Sequence, residues 1–331
     1  MQISSLAQII DAKIQSEPSV SFVYDIKTKA SLVKEGDAFA SNNLQEIQKA
    51  ISKGAFCVIY SNKNIEICDF EIAWLFVDDL QNSLLKIVRF LFANLKLKAF
   101  FCEKLTFEML QIFRKKSKKI LFLDDNIAKN FEQIKSIDNQ SFVLCANEEL
   151  ICKIYPMAKK LKSVHYKLKN VTEHSLFEVS FTYRDFYINR LKLPIIYVRN
   201  FLDAWNFYGF EELDLVRLKK FKHLNPYFIN KNFQIVDFGK SDKFIISQND
   251  KSSMILEMNF LASRFTYGKK IFLLPKNLNH LASDDTIFYS SKEEIKEIIN
   301  TKHYNCLYIF GIGEEKIENF LVQNYFTKPL F

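Results

Sequence analysis

Short apolar runs alternating with stretches of helical periodicity constrain this chain more than any other feature of its sequence. FCVIY (56–60), AWLFV (73–77), KAFF (98–101), ILFL (120–123) and FVLC (142–145) are brief and continuous. Between them apolar residues recur at helical spacing. That combination predicts buried strands joined by helices, the α/β class. Helices are expected at 43–53, closed by Gly54 just past the end, and at 80–95 and 106–114. Two more fit 127–137 and 148–161, the latter kinked or shortened by Pro156.

From about 163 to 192 the period changes to two, as at Phe177, Val179 and Phe181, which predicts half-buried antiparallel strands. Short helices are expected near 199–208 and 211–221. The tail returns to α/β, with strands at 233–236, 243–247, 270–274, 286–289 and 306–310. Helices at 253–265, 292–301 and 314–322 lie between them, and Ser291 followed by Glu294 is a capping-box signal. The chain has no repeats and no Pro/Gly linkers. Pattern changes near 97 and 223 therefore mark the joints, giving segments 1–97, 98–222 and 223–331.

The chain has 331 residues, enough for two or three domains, and at 48% hydrophobic and 25% charged it excludes long disorder. No apolar run reaches the roughly 18 residues of a membrane span. The opening MQISSLAQII lacks the pattern of a signal peptide. Six cysteines sit in or beside apolar runs with no C-x-x-C pair, which reads as reduced, mostly buried thiols and a cytoplasmic address. The net charge of +8 gathers at 114–119, 159–169 and 217–222. Such runs read first as solvated faces, so a nucleic-acid partner is not the first expectation; a basic scaffold that binds nucleic acid or another polyanion is the alternative.

AFFCEKLTFEML (99–110) has the order of a phosphate-binding loop: a strand, a turn, Lys104 and a helix start. A phosphate loop works because successive backbone N–H groups converge on an anion, which needs glycine where the chain turns and approaches closely. Here Phe100, Phe101, Cys102 and Glu103 fill those positions, and the whole chain has only seven glycines. Glu103 would repel a polyphosphate, and Leu105 removes a hydroxyl for magnesium. Asp78–Asp79 and Asp124–Asp125 each follow an apolar run. Asp79 and Asp125 read as helix caps in preference to metal ligands. The five histidines show no metal or catalytic spacing, and GIG (311–313) fits a turn. No catalytic residues, no metal site and no cofactor are expected from the residues alone.

The order of segments resembles the Mur ligases of peptidoglycan synthesis, within them the branch that adds D-Ala-D-Ala to UDP-MurNAc-tripeptide. VYDIKTKASLVKEGDAFAS is similar to the family's D-S-R…G-D-x-F-V-A segment, and LQEIQKAISKGAFCVIY to its D-F-I-x-x-A-I-x-x-G-A stretch. AFFCEKLTFEML falls where G-x-x-G-K-T-T-T-K-E-M-L belongs, keeping Lys104, Thr106 and the final EML. Further on, Asn200 and Ala204 match the H-N-x-x-N-A motif, and Ser253 and Met254 match a later S-M pair. The resemblance implies a three-part α/β architecture: a UDP-sugar-type N-terminal domain, a reduced central ATPase-like domain and a C-terminal Rossmann-like domain. It implies a vestigial phosphate site at Lys104 and Thr106 and a substrate site near Lys27, Gly36 and Asp37. With both loop glycines gone, the expected function is that of a non-catalytic homologue. It would bind a UDP-MurNAc-peptide precursor or a protein partner of cell-wall synthesis. An active ligase with a rebuilt site is the alternative.

Overall fold

The structure is a computed structural model that describes residues 1–331 except 17, 18, 116, 117, 164, 211, 212, 314–316, 318, 320 and 322–331. The chain divides into two compact units, 1–163 and 164–331.

The first unit opens with α1 (Ile3–Ile10) and a five-stranded sheet made of β1 (Lys13–Ile14), β2 (Ile26–Lys27), β3 (Ala38–Ala40), β4 (Cys57–Tyr60) and β5 (Ala73–Phe76). The sheet order is β1–β5–β4–β3–β2, parallel except for β1. The alternation along these strands explains why they read as continuous apolar runs. Ala38, Ala40, Cys57, Ile59, Ala73 and Leu75 face one core. Phe39, Val58, Tyr60 and Trp74 face another, where Ile47 and Ala50 of α2 (Leu44–Ser52) cover them. Both faces of a parallel sheet must be covered, so every position of the inner strands β3, β4 and β5 is apolar. Gly54 closes α2 as expected, with φ +87.

After α3 (Leu80–Phe92) comes a second sheet: β6 (Lys98–Phe101), β7 (Ile120–Leu123), β8 (Phe142–Cys145) and β9 (Lys159–Lys160). It is parallel throughout in the order β7–β8–β6–β9, with α4 (Lys104–Ile112), α5 (Phe131–Lys135) and α6 (Glu148–Ile154) between strands. Ala99, Leu123 and Val143 share one core with Leu84, Ile87 and Val88 of α3, tying the two sheets together.

In the second unit β10 (Lys169–Ser175), β11 (Glu178–Tyr183) and β12 (Phe186–Leu191) form the expected antiparallel sheet. α7 (Val198–Phe207) follows. The last sheet contains β13 (Pro226–Phe228), β14 (Phe244–Gln248), β15 (Lys270–Pro275), β16 (Thr286–Tyr289) and β17 (Cys306–Phe310). Its order is β13–β14–β17–β15–β16, antiparallel only at β13. α8 (Lys251–Arg264) and α9 (Lys292–Thr301) complete a Rossmann-like α/β arrangement. Among the described residues no helix is long and apolar enough to cross a membrane.

Several local expectations are corrected. α6 ends at Ile154, because the residue before Pro156 is pushed out of the helical region. The expected helix at 127–137 divides into a 3-10 turn (Ile127–Asn130) and α5. The expected strand at 233–236 is a turn: the Asn230 carboxamide accepts from the N–H groups of Asn232 and Gln234 and reverses the chain. Only an isolated bridge, Ile229 to Ile235, survives there. In place of the helix at 211–221, Leu215–Lys220 is 3-10; residues 211 and 212 lie outside the described set. The expected helix at 314–322 also lies outside it, except for three residues.

Candidate functional site

The connection from β6 passes β8 to reach β7 and that from β8 passes β6 to reach β9, so the two run in opposite directions across the β6/β8 border. Open α/β sheets receive ligands at such a switch point, outside the carboxyl ends of the strands. The segment singled out in the sequence lies there. β6 enters α4 through Cys102 and Glu103 alone, and Lys104 is the exposed first residue of the helix. Thr106 is buried at 3% exposure. From residue 55 to 169 no described residue has a positive φ. The backbone therefore lacks the left-handed step by which successive N–H groups form an anion nest.

The charges at this edge also oppose a polyphosphate. Glu103 sits at the N-cap of α4, Asp124 and Asp125 follow β7, and Glu148 and Glu149 occupy the first turn of α6. Asn147 caps α6 with its own side chain, donates to Asp125 at 3.1 Å, and so occupies the helix N-terminus from within. Asp79 caps α3, accepting from Asn82 N. Asp125 does not act as a cap; the turn that follows is capped by Asn126, which accepts from Ala128 N at 3.1 Å. Within each unit taken alone, no three His, Cys, Asp or Glu side chains among the described residues converge tightly enough for a metal ion.

Lys27, Gly36 and Asp37 do not share partners. Asp37 is buried at 4% exposure, accepts from Lys34 N at 3.0 Å, and closes its own turn. Gly36 has φ +85, and a Cβ there would lie 2.2 Å from the Tyr24 ring. Lys27 belongs to a network that sequence reasoning missed. Its ammonium donates to Asp25 at 2.7 Å and reaches Glu132 at 3.3 Å. Lys135 bridges the same two carboxylates, 2.9 Å from each. Burial alone would favour neutral Lys27, but Asp25 and Glu132 outweigh it and raise the pKa. Burial likewise opposes charge on Asp25, yet Lys27, Lys135 and the Ile26 N–H together lower its pKa. No local motif announces a network whose members lie 105 to 110 residues apart.

A second missed group is Glu257 in the other unit, at 0% exposure. It accepts from Tyr197 at 2.6 Å, Tyr308 at 2.7 Å and Gln248 at 2.9 Å, with His223 Nδ1 3.4 Å away. The signal was present. Met254, Glu257 and Leu261 share one helical face of α8, so a carboxylate falls on the apolar stripe.

No family model matches the sequence, and no curated protein matches it. Solved structures do match. A MurF crystal structure from Acinetobacter baumannii aligns over 99% of both chains at 12% identity with a TM-score of 0.56. MurF ligase from Thermotoga maritima, solved in complex with ADP, aligns over 92% of this chain and 97% of its own, at 12% identity and TM-score 0.55. A third, the UDP-N-acetylmuramoylalanyl-D-glutamyl-2,6-diaminopimelate–D-alanyl-D-alanyl ligase from Acinetobacter baumannii, aligns over 99% and 98%, at 12% identity and TM-score 0.51. Likeness at that identity speaks to fold: the chain has an α/β architecture like that of the Mur ligases, the peptidoglycan-precursor enzymes.

Proposed function

We propose that this protein is a non-catalytic homologue of the Mur ligases that acts by binding, its ligand a UDP-MurNAc-peptide precursor or a protein of cell-wall synthesis. One observation carries the reading: the two-residue, glycine-free connection between β6 and α4, with Glu103 at the helix cap. Phosphoryl transfer rests on loop N–H groups, a lysine and Mg²⁺ stabilising the phosphates. A connection with no left-handed step and an acidic rim offers Lys104 without the cradle around it. The segments 1–97, 98–222 and 223–331 are our assignment of the three Mur-like parts, the middle one reduced. A cytoplasmic address accords with six cysteines that include no C-x-x-C pair.

Thermal unfolding with Mg-ATP and, separately, with UDP-MurNAc-tripeptide tests this. A ligand that binds only the folded state stabilises it by RT ln(1 + [L]/Kd), so weak sites register at millimolar ligand. The expected result is no shift with Mg-ATP. A shift with the precursor alone supports a carrier or sensor, and no shift with either supports a protein partner. An Mg-ATP shift that Lys104→Ala removes would overturn the non-catalytic reading.

A further inference from the structure

In the second unit, taken by itself, the turn after β12 and the segment leading into β13 border a cavity of about 110 Å³. Phe177, Phe221 and Phe238 supply ring walls. Phe177 stands edge-on to Phe228, Phe238 and Phe244, with ring centroids 6.4, 6.3 and 5.3 Å away. That lattice fixes the wall before any ligand arrives, and a pre-formed, largely apolar hollow with a few polar groups has the form of a small-molecule site.

Two observations on the wall decide which chemistry fits. The first is Leu224, which lines the cavity at φ +47, a left-handed conformation that bulky side chains rarely adopt. The residue is only 1% exposed, and buried N–H groups are almost always paired. Among the described residues the Leu224 N–H has no hydrogen-bond partner. Backbone held in this way gathers at ligand sites, and a left-handed step is what turns successive N–H groups toward an anion. The second is charge. Lys192 and Lys219 line the cavity, no Asp or Glu does, and among the described residues neither ammonium has a hydrogen-bond or ion-pair partner. Lys192 Nζ lies 5.7 Å over the Phe238 ring, a contact that uses none of its protons. The buried Glu257 stands behind the wall residue His223 and is already served by Tyr197, Tyr308 and Gln248.

We propose that this cavity binds a small organic anion, a carboxylate on a flat apolar body. The carboxylate is held by Lys192, Lys219 and the Leu224 N–H, and the body lies against the phenylalanine rings. The inference does not depend on the fate of the phosphate-loop position and would stand if the non-catalytic reading fell.

The test is an NMR titration of the full chain at low salt with three probes of one shape: benzoate, neutral benzamide and cationic benzamidinium. Benzoate should bind saturably at millimolar concentration, and the Leu224 amide proton should move downfield as it gains an acceptor. Its affinity should exceed that of benzamide by about tenfold or more, the usual scale for one charge-assisted hydrogen bond. Benzamidinium should not bind. Lys219→Glu should abolish benzoate binding, whereas Lys220→Glu, the same charge change at an exposed neighbour outside the cavity, should leave it intact. If Lys219→Glu fails to fold, Lys192→Gln should weaken benzoate several-fold and leave benzamide unchanged. Equal or tighter binding of benzamide or benzamidinium, no saturable binding of benzoate, or equal effects of Lys219→Glu and Lys220→Glu would each overturn the proposal.

Discussion

The Tyr308 hydroxyl donates to Glu257 Oε2 at 2.7 Å, joining the middle of β17 to α8 through a carboxylate that no solvent reaches. Among the described residues Tyr197 and Gln248 serve the other oxygen, Oε1. Burial and the neighbouring carboxylate together raise the Tyr308 pKa, so it remains a donor at any physiological pH.

Tyr308→Phe would strand a buried carboxylate oxygen, and losses of that kind run to about 2–3 kcal/mol. Tyr197→Phe leaves Oε1 with Gln248 and should cost about 1 kcal/mol. Urea denaturation midpoints of the two variants check the order; equal midpoints would mean that the network is not divided in this way.

Gly36→Ala meets two obstacles at once: φ +85 and a Cβ 2.2 Å from the Tyr24 ring. Gly209→Ala meets only the first, for its φ is +77 and nothing lies within 4 Å. The left-handed backbone costs a non-glycine residue about 1 kcal/mol, and Gly36→Ala should lose more than that. Adding Tyr24→Ala should recover part of the Gly36→Ala loss and none of the Gly209→Ala loss, read from thermal midpoints.

Lys119 and Ser141 hydrogen-bond the Asp138 carboxylate and hold its pKa down to about 2, from an ordinary 3.8. A depressed carboxylate stabilises the fold above its unfolded pKa, and that contribution fades as pH falls through the folded value. Asp138→Asn should therefore differ from the wild type at neutral pH. The two stability curves should converge between pH 3.8 and about 2.

Burial pushes Cys145 up to about 11 and Cys306 up to about 12, and the thiolate is the reacting form. Cys68 is exposed. In native protein at mild pH an aromatic disulfide reagent should label Cys68 first and leave Cys57, Cys102, Cys145 and Cys306 untouched. In urea all six should react. Peptide mapping of the native protein reads the result directly.

The strands at 98–101, 120–123 and 142–145 were legible to the residue, because a strand covered on both faces is apolar along its length, with only the exposed Lys98 at the start of β6 departing from it. Gly54, Asp79 and the Ser291–Glu294 cap were legible because a helix end is satisfied by residues within a turn of it. The strand expected at 233–236 failed for the converse reason: the Asn230 side chain competed locally for the same backbone groups. The absence of glycine from 99–110 is matched by a connection into α4 with no positive φ.

The sequence by itself determined the α/β class and most element positions, since each rests on contacts within a few residues. Only the tertiary structure decided that Asp25, Lys27, Glu132 and Lys135 form one network beside an apolar pocket, and that Glu257 meets Tyr197 and Tyr308. Hydrophobic burial drives the chain together without direction, and the charged groups then pair wherever packing has left them. Which of 46 basic residues meets which of 38 acidic ones is settled by the packing of segments such as β2 and α5, more than a hundred positions apart, and no local pattern records it.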